Sequence, residues 1–439
     1  MNPRSLPSSG WGRSIQSASL RVTDSIEEMQ ERLANLEGNR GALAIGLQRS
    51  YGDSALNSGG IQFSTEKLQE WKLDHESGII RVGAGVSISQ LESIALGENF
   101  FPAIVPGTGF VTIGGAIAAD IHGKSHHKTG SFSSIVKSMR VLYSDGIVRE
   151  LHPVGPTSSH FWATVAGLGL TGIIVDADLQ LDPISGNHFD VREVRCADLV
   201  TLLGELKSAD SEYDHTVAWV DLSGNYKGRG VVGMGNFAKN NDKKFGSKSK
   251  SINVPITFDR SLITPLTVKA FNNFWYHKPL KAGKVSINAF THPLDGIGSW
   301  NRVYGKQGFL QYQFSIPDGE EDFLYTVLAK LKEIHGASFL GVLKRFGKAS
   351  LAPLSFPSPG WTLALDFPIG IPRLEATLTE FDEEVCQRGG RIYLVKDSRL
   401  KAEFLPKMYP RIGEWKTVRA EMDPENKWKS DQGRRLGLC

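Results

Sequence analysis

Hydrophobic positions recur at helical spacing over residues 24–36, where Ile26, Met29, Leu33 and Leu36 share one face and Asp24 with Glu27 offers a capping-box-like start. The spacing then changes. Residues 41–47 (GALAIGL) are a short apolar run, read as a strand, that enters a glycine- and asparagine-rich loop at 48–60. A second strand is predicted over 78–84 and a helix over 89–95. A long loop, 101–115, leads into 116–122. Residues 138–143, a Ser144-Asp145-Gly146 turn and 147–151 predict a hairpin. A helix over 161–166 leads through 167–172 into a β-branched strand, 173–181. Helices and strands interleave, so a mixed α/β or α+β domain is expected.

The pattern shifts near Asp182-Pro183-Ile184-Ser185-Gly186, which predicts a boundary. Residues 187–390 are richer in aromatics and are expected to form a second domain. Residues 391–439 hold one β-rich segment (RIYLVKD) and a charged end, too little for an independent core. They are expected to pack back on the first domain, 1–186. A chain of 439 residues accommodates this division.

Composition narrows the function classes. Hydrophobic residues make up 40% and charged residues 22%, an ordinary soluble balance. A formal net charge of +3, evenly spread, argues against a nucleic-acid partner. Cys196, Cys386 and Cys439 include no C-x-x-C pair, which argues against a disulfide scaffold, a zinc ribbon or a thioredoxin-like centre and points to a reducing compartment. The first twenty residues lack an apolar h-region, and no run reaches about 18 apolar residues. A cytoplasmic or peripheral membrane location is therefore expected.

Three motifs suggest chemistry that their context does not support. Gly167-Leu168-Gly169-Leu170-Thr171-Gly172 matches G-x-G-x-x-G, but a helix precedes it and a strand follows, the reverse of a dinucleotide-binding Rossmann turn. It reads as a glycine-capped helix end, with Ile174 beyond it as a backbone contact for a ligand. His122-x-x-x-His126-His127 has no third metal ligand and no intervening Glu, so no metal is expected, and His126 and His127 read as loop or surface residues. Lys239, Lys243, Lys244, Lys248 and Lys250 read as a solvated loop or, alternatively, as a basic patch for anionic lipid or a phosphorylated substrate.

Two glycine-rich loops are more informative. The first is Gly46-Leu47-Gln48-Arg49-Ser50-Tyr51-Gly52-Asp53. The second is Pro106-Gly107-Thr108-Gly109-Phe110-Val111-Thr112-Ile113-Gly114-Gly115. Glycines let backbone approach a ligand closely, and successive N–H groups form anion-holding nests. Ser50, Thr108 and Thr112 add hydroxyls. Neither loop ends in G-K-[ST]. Their composition suits a dinucleotide diphosphate, although for either loop alone a glycine-rich turn with no ligand is the stronger reading.

The run Arg49-Ser50-Tyr51-Gly52-Asp53 with Asn57, then Pro106-Gly107-Thr108, then Gly114-Gly115-Ala116-Ile117-Ala118-Ala119-Asp120-Ile121-His122-Gly123-Lys124, resembles the FAD domain of the vanillyl-alcohol oxidase (PCMH-type) flavoproteins. Within them it is most similar to the decaprenylphosphoryl-β-D-ribose 2′-oxidase family. The likeness extends through Trp11-Gly12-Arg13, Phe161-Trp162-Ala163-Thr164-Val165, Trp300-Asn301-Arg302, Gly308-Phe309-Leu310-Gln311-Tyr312-Gln313-Phe314, Pro353-Leu354-Ser355-Phe356-Pro357 and Tyr393-Leu394-Val395-Lys396-Asp397-Ser398-Arg399.

The resemblance implies an α+β fold: a two-part PCMH-type FAD-binding domain with an inserted α+β substrate (cap) domain over an antiparallel sheet. It implies FAD contacts at Ala44–Ser54 (among them Gly46, Leu47, Gln48, Arg49, Ser50, Tyr51, Gly52, Asp53 and Ser54), at Gly107, Thr108, Thr112, Ile113, Gly114 and Gly115, at Ala119, Asp120, Ile121 and His122, and at Ile174 and Tyr393. Some relatives attach FAD through a His in the first loop. This loop has no His or Cys, so a non-covalent flavin is expected.

The implied reaction is oxidation of a ribose 2′-hydroxyl on a lipid-linked sugar phosphate, with a separate NAD(P)H-dependent keto-reductase completing an epimerisation. An aldonolactone or alditol oxidase acting on a soluble sugar is the alternative. Lys396, His122 and Tyr51 are the expected catalytic residues, and Trp219, Gln311, Gln313, Lys344, Thr362 and Ala364 the expected substrate contacts. Ala364 replaces a cysteine found in some relatives, so covalent capture at that position should fail.

Overall fold

The structure is a computed structural model that describes residues 5–23, 25–36, 38–223, 227–238, 252–336 and 338–439. Asp24 and the basic stretch Lys239, Lys243, Lys244, Lys248 and Lys250 lie outside the described residues. The first helix, Ile26–Ala34, is capped one position later than its sequence suggests. The Ser25 hydroxyl accepts from Glu28 N–H, and the Glu28 carboxylate accepts from Ser25 N–H.

Strands Ser5–Ser9, Gln16–Val22, Ile61–Ser64 and Ala42–Ile45 lie side by side in that order. Ile61–Ser64 pairs in parallel with Ala42–Ile45, from Ala42 opposite Ile61 to Ile45 opposite Ser64. Parallel neighbours require the chain to travel back between them. The first glycine-rich loop lies on that return path.

A second sheet orders Trp71–Asp74, Ile79–Gly83, Ile173–Gln180, Val136–Leu142 and Val148–Leu151, all antiparallel. The hairpin runs from Met139 opposite Leu151 to Leu142 opposite Val148. Ile80, Val82, Ala177 and Leu179 are fully buried in one core with Ile88, Leu91 and Ala95 of helix Ile88–Gly97. Gly114 and Gly115 fall inside a helix, Ile113–Ala118, not in the preceding loop. Thr112 caps it, its hydroxyl accepting from Gly115 N–H at 3.3 Å. A good cap and four apolar neighbours outweigh the low helix propensity of two glycines.

The third sheet has eight antiparallel strands in the order Ala282–Ser286, His188–Cys196, Gly230–Phe237, His215–Val220, Gly341–Phe346, Gly360–Pro368, Phe309–Ile316 and Arg391–Ile392. Helices Leu199–Glu212, Asp322–Glu333 and Leu374–Gln387 contribute Leu202, Leu206, Phe323, Val327, Phe381 and Val385 to its core. Side chains alternate across a strand. On Phe309–Ile316, Tyr312 and Phe314 meet Phe381 and Phe323, at ring separations of 6.1 and 5.1 Å. Gln311 and Gln313 therefore share the opposite face. Cross-strand register sets Gln311 opposite Asp366, Gln313 opposite Ala364, and Ala364 opposite Val342.

The tail departs from its β-rich reading. Its strand is only Arg391–Ile392. The remainder carries helices Leu405–Met408, Ile412–Met422 and Asp431–Leu436. After Ile392 the chain turns: Lys396 N–H and Asp397 N–H both donate to Tyr393 C=O at 3.0 Å, and the Asp397 carboxylate accepts from Arg399 N–H and Leu400 N–H. These bonds outcompete the β-propensity of the apolar run. Trp415 Nε1 donates to Ala163 C=O, and Asp431 accepts from Ser58. No helix among the described residues is long and apolar enough to cross a membrane.

Candidate active site

The glycine-rich loops meet where Gly46 abuts Thr112. A Cβ at Gly46 would lie 2.2 Å from Thr112 Oγ1, so only hydrogen fits there. Past this contact the loops part around a cavity of about 500 Å³. The N–H groups of Leu47, Gln48, Arg49 and Ser50 find no protein acceptor among the described residues. Buried Arg49 Nε and Ser54 Oγ also lack partners among the described residues. A Cβ at Gly107 would enter open space. Unpaired donors on one wall and backbone approach on the other suit a dinucleotide with a diphosphate bridge. The first loop's residues 46–54 have no His or Cys side chain to bond it covalently.

Arg49 lies over the rings of Trp11 and Phe110, 4.0 and 5.0 Å from their centroids. Burial lowers its pKa, and Asp295 opposes that shift. Asp295 also ties the third-sheet region to the second loop. It accepts from Thr108 Oγ1 and Gly109 N–H, both at 2.7 Å.

The far wall comes from the face of the large sheet on which Gln311 and Gln313 stand, with Val342, Lys344 and Ala364 beside them. The tail adds Tyr393, Val395 and Lys396. Tyr393 stacks on Phe356 at 4.6 Å and donates to Ala119 C=O at 3.3 Å. Lys396 Nζ sits 3.7 Å from the centre of the Tyr51 ring. Burial pulls the lysine pKa down, and the Asp366 carboxylate opposes that shift. Burial drives the Tyr51 phenol well up.

His122 is buried against Phe346, Tyr393 and Phe356, with centroids 4.8, 5.2 and 5.7 Å away. Burial lowers its pKa well below the ordinary value, reinforced by Lys344, His126 and Lys396, so the imidazole is neutral. Gln313 Nε2 lies 3.2 Å from His122 Nε2. An amide nitrogen only donates, so Nε2 accepts and Nδ1 carries the proton. Nδ1 has no protein partner among the described residues. Lys344 is half-buried on the cavity wall, and burial brings its pKa to about 8.

The cavity wall gathers most of the expected positions from all three chain regions. Gly46, Leu47, Gln48, Arg49, Ser50, Tyr51, Ser54, Gly107, Thr108, Thr112, Gly114, Gly115, Ala119, Ile121, His122, Ile174, Tyr393 and Lys396 stand on it, as do Gln311, Gln313, Lys344 and Ala364. Six stand behind it. Gly52 packs on Asp397 C=O, which a Cβ would meet at 1.9 Å. Asp53 binds Arg435. Ile113 is in the core. Asp120 accepts from Ser131 Oγ, Ser133 N–H and Ser355 Oγ, pinning the chain before His122. Trp219 donates to Phe339 C=O. Thr362 accepts from Gln313 and donates to Phe314 C=O.

His126 is buried, not a surface residue. Its Nδ1 accepts from Gly347 N–H at 3.1 Å, and burial lowers its pKa to about 3. The His127 side chain is also enclosed, with Nε2 2.9 Å from Tyr213 C=O. Contacts from strands distant in sequence enclose both, which no local pattern shows.

Asp366, behind Gln311 on the cavity wall, is a supporting residue that sequence reasoning missed. It is fully buried, accepts from Gln311 Nε2 at 2.5 Å, and leaves Oδ2 without a partner among the described residues. Burial raises its pKa. Its signal was available: on Gly360–Pro368, Asp366 stands two residues from Ala364 and thus on the same face.

Residues 21–152 match a family described as an FAD binding domain. The chain is 39% identical to a decaprenylphosphoryl-beta-D-ribose oxidase from Mycolicibacterium smegmatis, over 98% of this chain and 97% of that protein. It is 31% identical to an uncharacterized protein of Streptomyces coelicolor, over 80% of this chain and the whole of that protein. A D-lactate dehydrogenase from Archaeoglobus fulgidus is 34% identical over 28% of this chain and 29% of its own.

Proposed function

This chain belongs to the decaprenylphosphoryl-β-D-ribose oxidase family, and from that premise we propose that it oxidises the 2′-hydroxyl of a polyprenylphosphoryl-β-D-ribose to the 2′-ketone. It is an FAD-dependent oxidoreductase. The observation that carries the substrate reading is end-to-end similarity to a relative named for that sugar. The soluble-sugar alternative is not favoured by that similarity.

FAD, when bound, supplies the two-electron acceptor. The N–H groups of residues 47–50 would hold its diphosphate, and Ile174 and Tyr393 would bound its ring system. A non-covalent flavin is the form we propose. The remaining work falls to the protein. Lys396 Nζ takes the hydroxyl proton, because burial enlarges its free-amine fraction near neutrality. Neutral His122 orients the same hydroxyl through Nδ1–H. Gln311 and Lys344 complete the polar wall that positions the sugar. Tyr51 holds Lys396 in place through its ring face.

The reading also carries a division of labour along the chain. Residues 1–186 and 391–439 would form the FAD-binding domain, and 187–390 the substrate cap. A separate NAD(P)H-dependent reductase would return the ketone to the epimeric alcohol.

Anaerobic mixing tests the proposal. A polyprenylphosphoryl ribose should bleach the flavin, while xylitol and an aldonolactone should leave it yellow. Bleaching by the soluble sugars alone would overturn it.

A further inference from the structure

Helix Pro265–His277 turns most of its apolar side chains away from the core. Its buried positions are Val268 and the polar Asn272, whose amide donates to Asp221 Oδ1 at 2.8 Å. Leu266 and Phe274 are 77% and 68% exposed. Leu266, Ala270 and Phe274 follow at four-residue spacing and make one outward stripe. A helix stabilised only by its own core would show the opposite pattern.

Ile252, Ile256, Leu262 and Ile297 are exposed too, and hydrogen bonds join their segments to the helix: Arg302 donates to Val254 and Pro255 C=O, Leu262 N–H to Val303 C=O, and Thr267 Oγ1 to Leu262 C=O. No other segment of similar length among the described residues concentrates exposed large hydrophobics in this way. Such concentration marks an interaction surface, whereas scattered exposed residues do not.

Charge and position select the partner. Residues 252–297 carry Arg260, Lys269, Lys278, Lys281 and Lys284 against only Asp259 and Asp295. Both carboxylates are engaged: Asp259 with Lys306 at 2.6 Å, and Asp295 with Thr108 and Gly109. Lys278 lies near Glu193, whereas Lys269 and Lys281 are exposed. Ile252–Asn253 pairs with Ile297–Gly298, and Asn253, Ile297 and Gly298 line the cavity. The exposed Ile252 and Ile297 therefore stand at the cavity rim.

We propose that the outer face of Pro265–His277, with the adjoining Ile252–Asn253 and Ile297–Gly298 pair, docks on an anionic lipid bilayer. Leu266 and Phe274 enter the headgroup layer and the exposed lysines meet lipid phosphates. The proposal rests on the lipid-linked substrate only for choosing a bilayer over a protein partner. Docking there would set the cavity mouth at the surface that holds such a substrate.

Co-sedimentation of the flavin-loaded full chain with vesicles tests this. The protein should pellet with mixed phosphatidylglycerol and phosphatidylcholine vesicles, bind pure phosphatidylcholine less, and dissociate as salt rises. Leu266→Glu with Phe274→Glu should lose most of the bound fraction while keeping the flavin and the thermal midpoint. Lys269→Glu with Lys281→Glu should lose the preference for anionic vesicles. Failure of the unaltered protein to bind, or undiminished binding by the first variant, would overturn the proposal. So would a dimer in velocity sedimentation that the first variant abolishes, without vesicle binding. Turnover of a water-soluble short-chain phosphoryl ribose separates the two readings: its absence, with vesicle binding intact, would count against the proposed function alone.

Discussion

Arg435, in the last helix, closes a bidentate pair on Asp53 of the first glycine-rich loop at 2.8 and 2.9 Å, and the same guanidinium reaches Asp397 at 2.9 Å. Asp397 directly follows Lys396. One side chain from the end of the chain thus braces both the loop that bounds the cavity and the turn that presents its lysine. The Asp53 and Asp397 side chains are 6% and 2% exposed. Arg435→Ala would leave two buried carboxylates without this partner, which should cost about 3–5 kcal/mol. We expect a lower thermal midpoint and flavin lost on gel filtration, with Arg435→Lys restoring only part because it cannot form the fork. Full flavin retention by the alanine variant would show that the brace does not support the loop.

Lys396→Ala should reduce turnover by about 10²–10⁴-fold, the range for losing a positioned proton acceptor. The melting temperature and flavin content should change little. Single-turnover flavin reduction is the decisive measurement, and a near-unaltered rate would remove Lys396 from the chemistry.

Asp366→Asn tests the buried carboxyl behind Gln311. The Asp366 charge raises the Lys396 pKa against the effect of burial. An amide removes that charge, so the lysine should lose its proton more readily. If the free amine is the active form, the rising limb of the pH–rate profile should move to lower pH. An unmoved limb would confine Asp366 to packing.

The flavin should be free of covalent attachment. After acid precipitation and centrifugation the yellow colour should remain in solution. Flavin in the pellet would require an attachment outside the first loop.

Stability should fall as the solution is acidified below neutrality. Burial brings His126 and His215 to about 3, while an unfolded histidine titrates near its ordinary value of about 6.5. Between those values the unfolded chain binds protons that the folded one refuses, so stability rises with pH across this window and is lost as pH falls. The limiting slope is about 1.4 kcal/mol per pH unit for each histidine. Urea melts from about pH 7 to about pH 5 should show it. His215→Gln should flatten the slope, and an unchanged slope would assign the acid sensitivity elsewhere.

Much of the first region was legible because its signals are local. The apolar run before Gln48 is the strand Ala42–Ile45, and the Ser144-Asp145-Gly146 turn joins paired strands. The reversed context of the 167–172 motif also holds: helix Ser158–Thr164 precedes it and strand Ile173–Gln180 follows. The tail was less legible because RIYLVKD has strand composition, while the bonds that turn it at Tyr393–Leu400 depend on Asp397 and Arg435.

By itself the sequence determined the glycine loops, the family and the residue types available for chemistry, because these depend on neighbours in the chain. Tertiary structure alone decided which of those residues share a cavity. Lys396, His122 and Gln313 come together through a turn, a pinned loop and a sheet register. Asp53, Asp120 and Thr362 became supports, and Asp366 joined them behind Gln311. Period-two alternation puts residues on a common face, but only the packing of that face against the glycine loops decides which ones a ligand meets.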